Sequence, residues 1–185
     1  MARTPSERNP FIDLPPFSKT GELHVFIDTP KGSRNKYEYD VEYHLFKLGG
    51  VLPAGAVFPF DFGYIPSTEG GDGDPLDVLV LMDEPAFVGC LVPSCLLGVI
   101  EAEQTEDGKT TRNDRLIAVA ANARDHGDLQ RLDQLNDNLL DEIEHFFISY
   151  NGAKGKQFAP LGRFGSDRAK QIIDAGEKQF KKRKT

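Results

Sequence analysis

A chain of 185 residues with a net charge of −7 and a pI near 5.1 can build one domain with a proper core, and is too short for two. Its acidity excludes the basic footprint that a phosphodiester backbone requires, so no nucleic-acid partner is expected. With 39% hydrophobic and 28% charged residues the balance is that of an ordinary globular protein, and an acidic protein acting on an acidic ligand needs metal ions to reconcile the two charges.

The N-terminus is polar, with Arg3, Glu7 and Arg8, and lacks the apolar centre of a signal peptide. No stretch approaches ~20 uninterrupted apolar residues, so no membrane span is expected. Cys90 and Cys95 are the only cysteines, which points to a reducing compartment and a cytoplasmic protein. Residues 1–20 carry four prolines and read as an arm, residues 21–180 as a single domain, and residues 181–185 as a solvated basic tail.

Leu23–Thr29 predicts a strand with Leu23, Val25 and Ile27 on one face. After a turn at residues 30–35, Lys36 to Tyr43 alternates strictly, with Tyr37, Tyr39, Val41 and Tyr43 on one face and Lys36, Glu38, Asp40 and Glu42 on the other. Asp77–Leu81 reads as a buried strand, and two more are expected near Leu96–Glu103 and Arg115–Ala120, with a charged hairpin at Thr105–Arg112 between them. Leu132, Leu135, Leu139, Leu140, Ile143, Phe146, Phe147 and Tyr150 recur at helical spacing, and a second helix starts near Ser166. Short strands followed by helices favour an α+β fold with a small β-barrel over a doubly wound sheet.

The chemistry concentrates in the turn Asp72-Gly73-Asp74-Pro75-Leu76-Asp77. Hard cations take oxygen ligands, and carboxylates on a tight turn can surround one. The turn runs straight into an apolar strand that draws Asp77 toward the core, where an unpaired carboxylate is costly without a cation. Pro75 inside the loop and the flanking strands exclude a helical calcium-binding hand.

The run D-G-D-P-L-D-V resembles the signature of the family I soluble inorganic pyrophosphatases. Five more segments fall in the family's order: P-K-G-S-R-N-K-Y-E-Y-D at 30–40, G-Y-I at 63–65, L-L-G-V at 96–99, R-L-I-A-V at 115–119 and H-F-F-x-x-Y at 145–150. The resemblance implies a five-stranded OB-like barrel with helices packed outside, and Mg²⁺-dependent hydrolysis of pyrophosphate or a related small phosphate compound. It also implies a homo-oligomer, since bacterial members are commonly hexamers. By the same resemblance Asp72 and Asp77 ligate metal, Asp77 bridging two ions, and Asp74 accepts the proton of the attacking water. Lys36, Arg115 and the Tyr150 hydroxyl hold phosphate oxygens. Glu38, on the Lys36 face, orients that lysine or a metal-bound water.

Several positions depart from the family pattern. Asp28 replaces a strand glutamate, and an expected arginine falls on Gly50. Two tyrosines become Phe58 and Phe62. The late metal acids fall on Gln104 and Asn113, a lysine on Arg115, and another lysine on Asn151. Asn113 keeps an oxygen ligand and loses a charge, whereas reading Asp114 as that ligand would turn Arg115 to the other strand face. Glu101, Glu103, Glu106 and Asp107 are candidate substitute acids, and Arg34, Lys109 and Arg112 candidate substitute cations. The altered positions leave two alternatives open: hydrolysis of another phosphoanhydride, which Phe58 and Phe62 would favour by making the pocket wall apolar, and a non-catalytic phosphate- or metal-binding homologue.

Overall fold

The computed structural model describes residues 9–183. The expectations for the first eight residues of the arm and for Lys184 and Thr185 of the tail lie outside them. Within the arm, α1 (Pro10–Asp13) is capped by Asn9. Phe11 packs its ring against those of Phe26, Tyr39 and Phe46 at 4.8–5.3 Å.

Five strands close a ring. They are β1 (Leu23–Thr29), β4 (Asp61–Tyr64), β5 (Asp77–Leu81), β6 (Leu91–Glu106) and β8 (Arg115–Ala120), of which β5 and β8 run parallel and the other neighbours antiparallel. This is the expected barrel, and it closes where Leu23–Phe26 pairs with Leu91–Ser94. The far half of β6 runs out of the ring to pair with β7 (Lys109–Arg112) and β9 (Gln157–Gly165). The expected charged hairpin is the β6–β7 turn, where Asp107 and Gly108 both take positive φ, the signature of a two-residue turn matched to strand twist.

The period of two in the ring strands divides the core between the two helices. Leu79, Leu81, Ile117 and Val119 pack on the side of Ile143 and Phe147 from α2 (Asp137–Gly152). Val78, Val80, Leu116 and Ala118 pack with Ala169 and Ile173 from α3 (Ser166–Arg183). The parallel register Val78↔Leu116 therefore sets Asp77 and Arg115 side by side at the strand starts, on the α2 side.

Three expectations need correction. The alternating run from Lys36 ends earlier: β2 is Asn35–Asp40, and Asp40 Oδ1 accepts from the amides of Glu42 and Tyr43 to turn the chain into β3 (Leu45–Val51). Val41 and Tyr43 thus lie exposed in the hairpin turn and do not continue the strand face of Tyr37 and Tyr39. The helix expected from Leu132 begins at Asp137 after a 3₁₀ turn at Leu132–Gln134, because Asn136 caps it by accepting from the Asn138 amide. The third reading, of a purely helical C-terminal third, misses β9, whose Pro160 and glycines hide its strand character and whose pairing slips between Glu101 and Ala102. The basic tail is largely the end of α3, where Arg183 pairs with Glu69 at 2.9 Å.

Candidate active site

The acidic turn is fixed from inside and from both ends. Asp72 Oδ1 accepts from the Asp74 amide at 3.2 Å, the Gly70 amide donates to the Asp74 carbonyl at 2.7 Å, and Gly73 takes φ 92°. Thr68 Oγ1 accepts from the Leu76 amide at 3.0 Å, so the chain enters β5 in one register. Asp72 and Asp74 stay exposed while Asp77 is half-buried. Partial desolvation within the turn, then the charges of Asp72, Asp77 and Glu38, push the Asp74 carboxyl above its ordinary pKa. Asp77 is likewise raised by burial, against the pull of Arg115 and Lys36.

Cations meet these acids from two strands. Arg115, 3% exposed, forms an ion pair through Nη1 with Asp77 at 2.7 Å and donates to Asn113 Oδ1. Its guanidinium lies over the rings of Phe147 and Phe158, 4.7 and 5.3 Å from their centres. The cation that Asp77 demanded from the sequence is therefore supplied in part by the chain itself. Lys36 Nζ donates to both Asp28 oxygens at 2.7 Å and sits 4.6 Å above the Phe62 ring. Burial outweighs that lysine and raises the Asp28 pKa to about 6. Asp28, not Glu38, is thus what orients Lys36. Glu38 instead folds over Gly49, where a Cβ would lie 2.4 Å from its carboxyl carbon.

Tyr150 closes the group from the end of α2. Its pKa, raised chiefly by burial, also responds to Lys36, Asp77, Arg115 and Glu38, so all of these share one electrostatic neighbourhood. Asn113 lies on the Arg115 face, and its amide donates to Gln104 Oε1 at 3.0 Å. Asp114 is engaged by other partners, accepting from the Ala102 amide and from Arg112. Arg112 and Glu101 are bound to each other, Glu106 pairs with Lys156, and Asp107 forms the hairpin turn. Phe58 and Phe62 are 1% and 4% exposed and belong to the core cluster. Asn151 is also buried, donating to the Phe147 carbonyl.

A sequence model of the inorganic pyrophosphatase family matches residues 25–181. The chain belongs to the inorganic pyrophosphatase family. The pyrophosphatase of Synechocystis sp. is 34% identical over 168 residues, covering 91% of this chain and 97% of its own. That of Halalkalibacterium halodurans is 38% identical over 152 residues, covering 82% and 91%. The crystal structure of the Thermus thermophilus pyrophosphatase matches with a TM-score of 0.83 at 33% identity, over 94% of this chain and 99% of that one.

A divalent metal cofactor goes with this pyrophosphatase family, and the donor set can be tested against it. Among the described residues no three Asp, Glu, His or Cys side chains come close enough to cage an ion unaided. What the fold does bring together is Asp72, Asp77 and Asn113, which line one cavity and offer it oxygens from the turn and from the start of β8. That suits a hard cation which keeps part of its water shell. Two site residues escaped the sequence reading, Lys154 and Lys156 in the α2–β9 loop. Lys154 acts on Asp77 and Glu38, and Lys156 on Asp74. The available signal was spacing: Lys154 follows Tyr150 by one helical turn.

Proposed function

We propose that this chain hydrolyses inorganic pyrophosphate to two phosphates, using Mg²⁺. The observation that carries the reading is the convergence of the Asp72–Asp77 turn with Lys36, Arg115 and Tyr150 on one neighbourhood. Asp72 and Asp77 would hold the metal, Asp77 shared between two ions, with Asn113 contributing a neutral oxygen. Bound Mg²⁺ would neutralise phosphate charge and lower the pKa of water.

The chain's own residues do the rest. Asp74 takes a proton from the attacking water, and its upward-shifted pKa makes it a stronger base than an ordinary carboxylate. The water oxygen bonds to one phosphorus, the bridging P–O bond breaks, and the bridging oxygen leaves with the second phosphate. Of the three donors of Lys36, two are committed to Asp28, which leaves one aimed by that pair at a phosphate oxygen. Arg115 and the Tyr150 hydroxyl supply further donors where negative charge accumulates. Phe58 and Phe62 are buried, with Phe62 under the Lys36 ammonium and Phe58 against the Tyr150 ring. The two free cysteines accord with a reducing compartment. Exposed Tyr43, Leu45 and Leu48 support assembly into a homo-oligomer. No helix among the described residues is long and apolar enough to cross a membrane.

The test is phosphate release from pyrophosphate with and without Mg²⁺, for wild type and Asp74→Asn. The wild type should turn over only with metal. The variant should bind Mg²⁺ nearly as well and hydrolyse on the order of a hundredfold or more slowly. A variant that loses metal binding makes Asp74 a ligand, and an inert wild type ends the reading.

A further inference from the structure

Two cations expected on the phosphate side have no counterpart at their family positions. Gly50 has no side chain, and nothing lies within 4 Å of where its Cβ would stand. Asn151 is 3% exposed and committed to the Phe147 carbonyl. Its own carbonyl accepts from the amides of Lys154 at 2.9 Å and Lys156 at 3.0 Å, so it folds the loop after α2 and does not reach substrate.

A cavity of about 290 Å³ lies on this side, and Lys36, Gly50 and Tyr150 line it together with Arg34 and Lys154. Lys154 Nζ donates to the Tyr150 hydroxyl at 2.5 Å and stands 4.2 Å from the centre of that ring. Among the described residues it forms no ion pair, although it feels the charges of Glu38 and Asp77. Arg34, from the turn before β2, donates through Nε to the Leu52 carbonyl at 2.7 Å. That bond fixes the guanidinium beside Gly50 and uses only one of its five donors.

We propose that Lys154 and Arg34 are substrate-binding residues, and that they supply from new positions the phosphate contacts this chain lacks at Asn151 and Gly50. Lys154 adds its charge to the phosphate that the Tyr150 hydroxyl also contacts. Arg34 lines the same cavity as Gly50 and brings a guanidinium to the side where an arginine at position 50 would have started. The inference rests on the phosphoanhydride reading of the site, since it assigns cations to that substrate's oxygens.

The experiment measures kcat and KM for pyrophosphate, and the Kd of methylenediphosphonate, a non-hydrolysable analogue, in saturating Mg²⁺. Wild-type turnover tests the activity and analogue binding tests the inference, so either can fail alone. Lys154→Met and Arg34→Met should each weaken analogue binding about tenfold or more and raise KM, as loss of a charge-assisted hydrogen bond requires. Lys154→Arg should stay within about threefold of wild type, because charge and reach are kept. Adding Gly50→Arg to Lys154→Met should recover part of the loss, since the space there is open. Lys170→Met, exposed on α3, serves as the control for a bulk loss of positive charge. A Kd for Lys154→Met and Arg34→Met within about twofold of wild type overturns the proposal. So does an equal loss in Lys154→Arg, or a loss matched by Lys170→Met.

Discussion

Residues one position apart take opposite roles where β8 begins. Asn113 bonds to Arg115 and donates to Gln104, while Asp114 binds Arg112 and the Ala102 amide. Alternation made that division legible in the sequence. The amide pair itself was not legible, because it depends on β6 bringing Gln104 alongside. With Asn113 as a neutral metal ligand, as proposed, Asn113→Asp adds a charge to the donor set, so the Mg²⁺ concentration for half-maximal hydrolysis should fall several-fold. Asp114→Asn should leave that concentration unchanged but cost about 1–3 kcal/mol of stability through the buried partners it loosens. Mg²⁺ titrations of initial rates and thermal melts separate the two, and the reverse pattern would put the register off by one. Asp28 gives a pH test. Its folded pKa is about 6 against an ordinary 3.8. The neutral form is thus favoured by folding, and that stability is full below pH ~3.8 and lost as pH rises through ~6. In metal-free buffer the difference in Tm between wild type and Asp28→Asn should fall by roughly 5–10 °C from pH 4 to 7, following a linkage of about 3 kcal/mol. A difference flat with pH would mean that Lys36 keeps Asp28 ionised throughout.

Elements were readable in proportion to how much of their pairing is local. β1, β5 and β8 carry their own apolar patterns and were found within a residue or two. β9 was missed because what makes it a strand lies elsewhere: it exists by pairing with the outer half of β6, against its own proline and glycines. The β6–β9 seam depends on close approach at Gly98, where an added Cβ would stand 2.3 Å from the Phe164 carbonyl oxygen and 2.9 Å from Leu132 Cβ. Gly165, directly opposite Gly98, has open space. Gly98→Ala should therefore destabilise by about 1–3 kcal/mol as backbone is forced apart. Gly165→Ala should stay within about 0.5 kcal/mol of wild type. Denaturant melts of the two decide it, and equal effects would mean that the seam is looser than its backbone spacing implies. The site inherits this scaffold: Asp77 and Arg115 meet because the parallel β5–β8 register places them level, a non-local fact that neither segment states alone.

At the scale of the whole molecule, the β2–β3 hairpin joins the site to the surface. Lys36 and Glu38 stand on β2, while Val41, Tyr43, Leu45, Leu48 and Val51 along the same hairpin are 50–67% exposed. Exposed apolar side chains clustered on one element mark a contact surface more often than a free one. A covered hairpin would also steady the strand that presents Lys36. Each copy carries −7, so assembly works against mutual repulsion that salt screens over about 10 Å at 0.1 M. The wild type should accordingly behave as a homo-oligomer in light scattering, and its dissociation on dilution should be suppressed by added salt. Tyr43→Asp with Leu48→Asp should shift it toward monomer with a melting temperature changed little, because neither side chain is in the core. If the hairpin matters to the site, KM for pyrophosphate should rise in that monomer more than kcat falls. A wild type that is monomeric at every salt concentration removes the assembly. An oligomer indifferent to both substitutions places the interface on another apolar face, such as that of Ile148, Leu161 and Phe164.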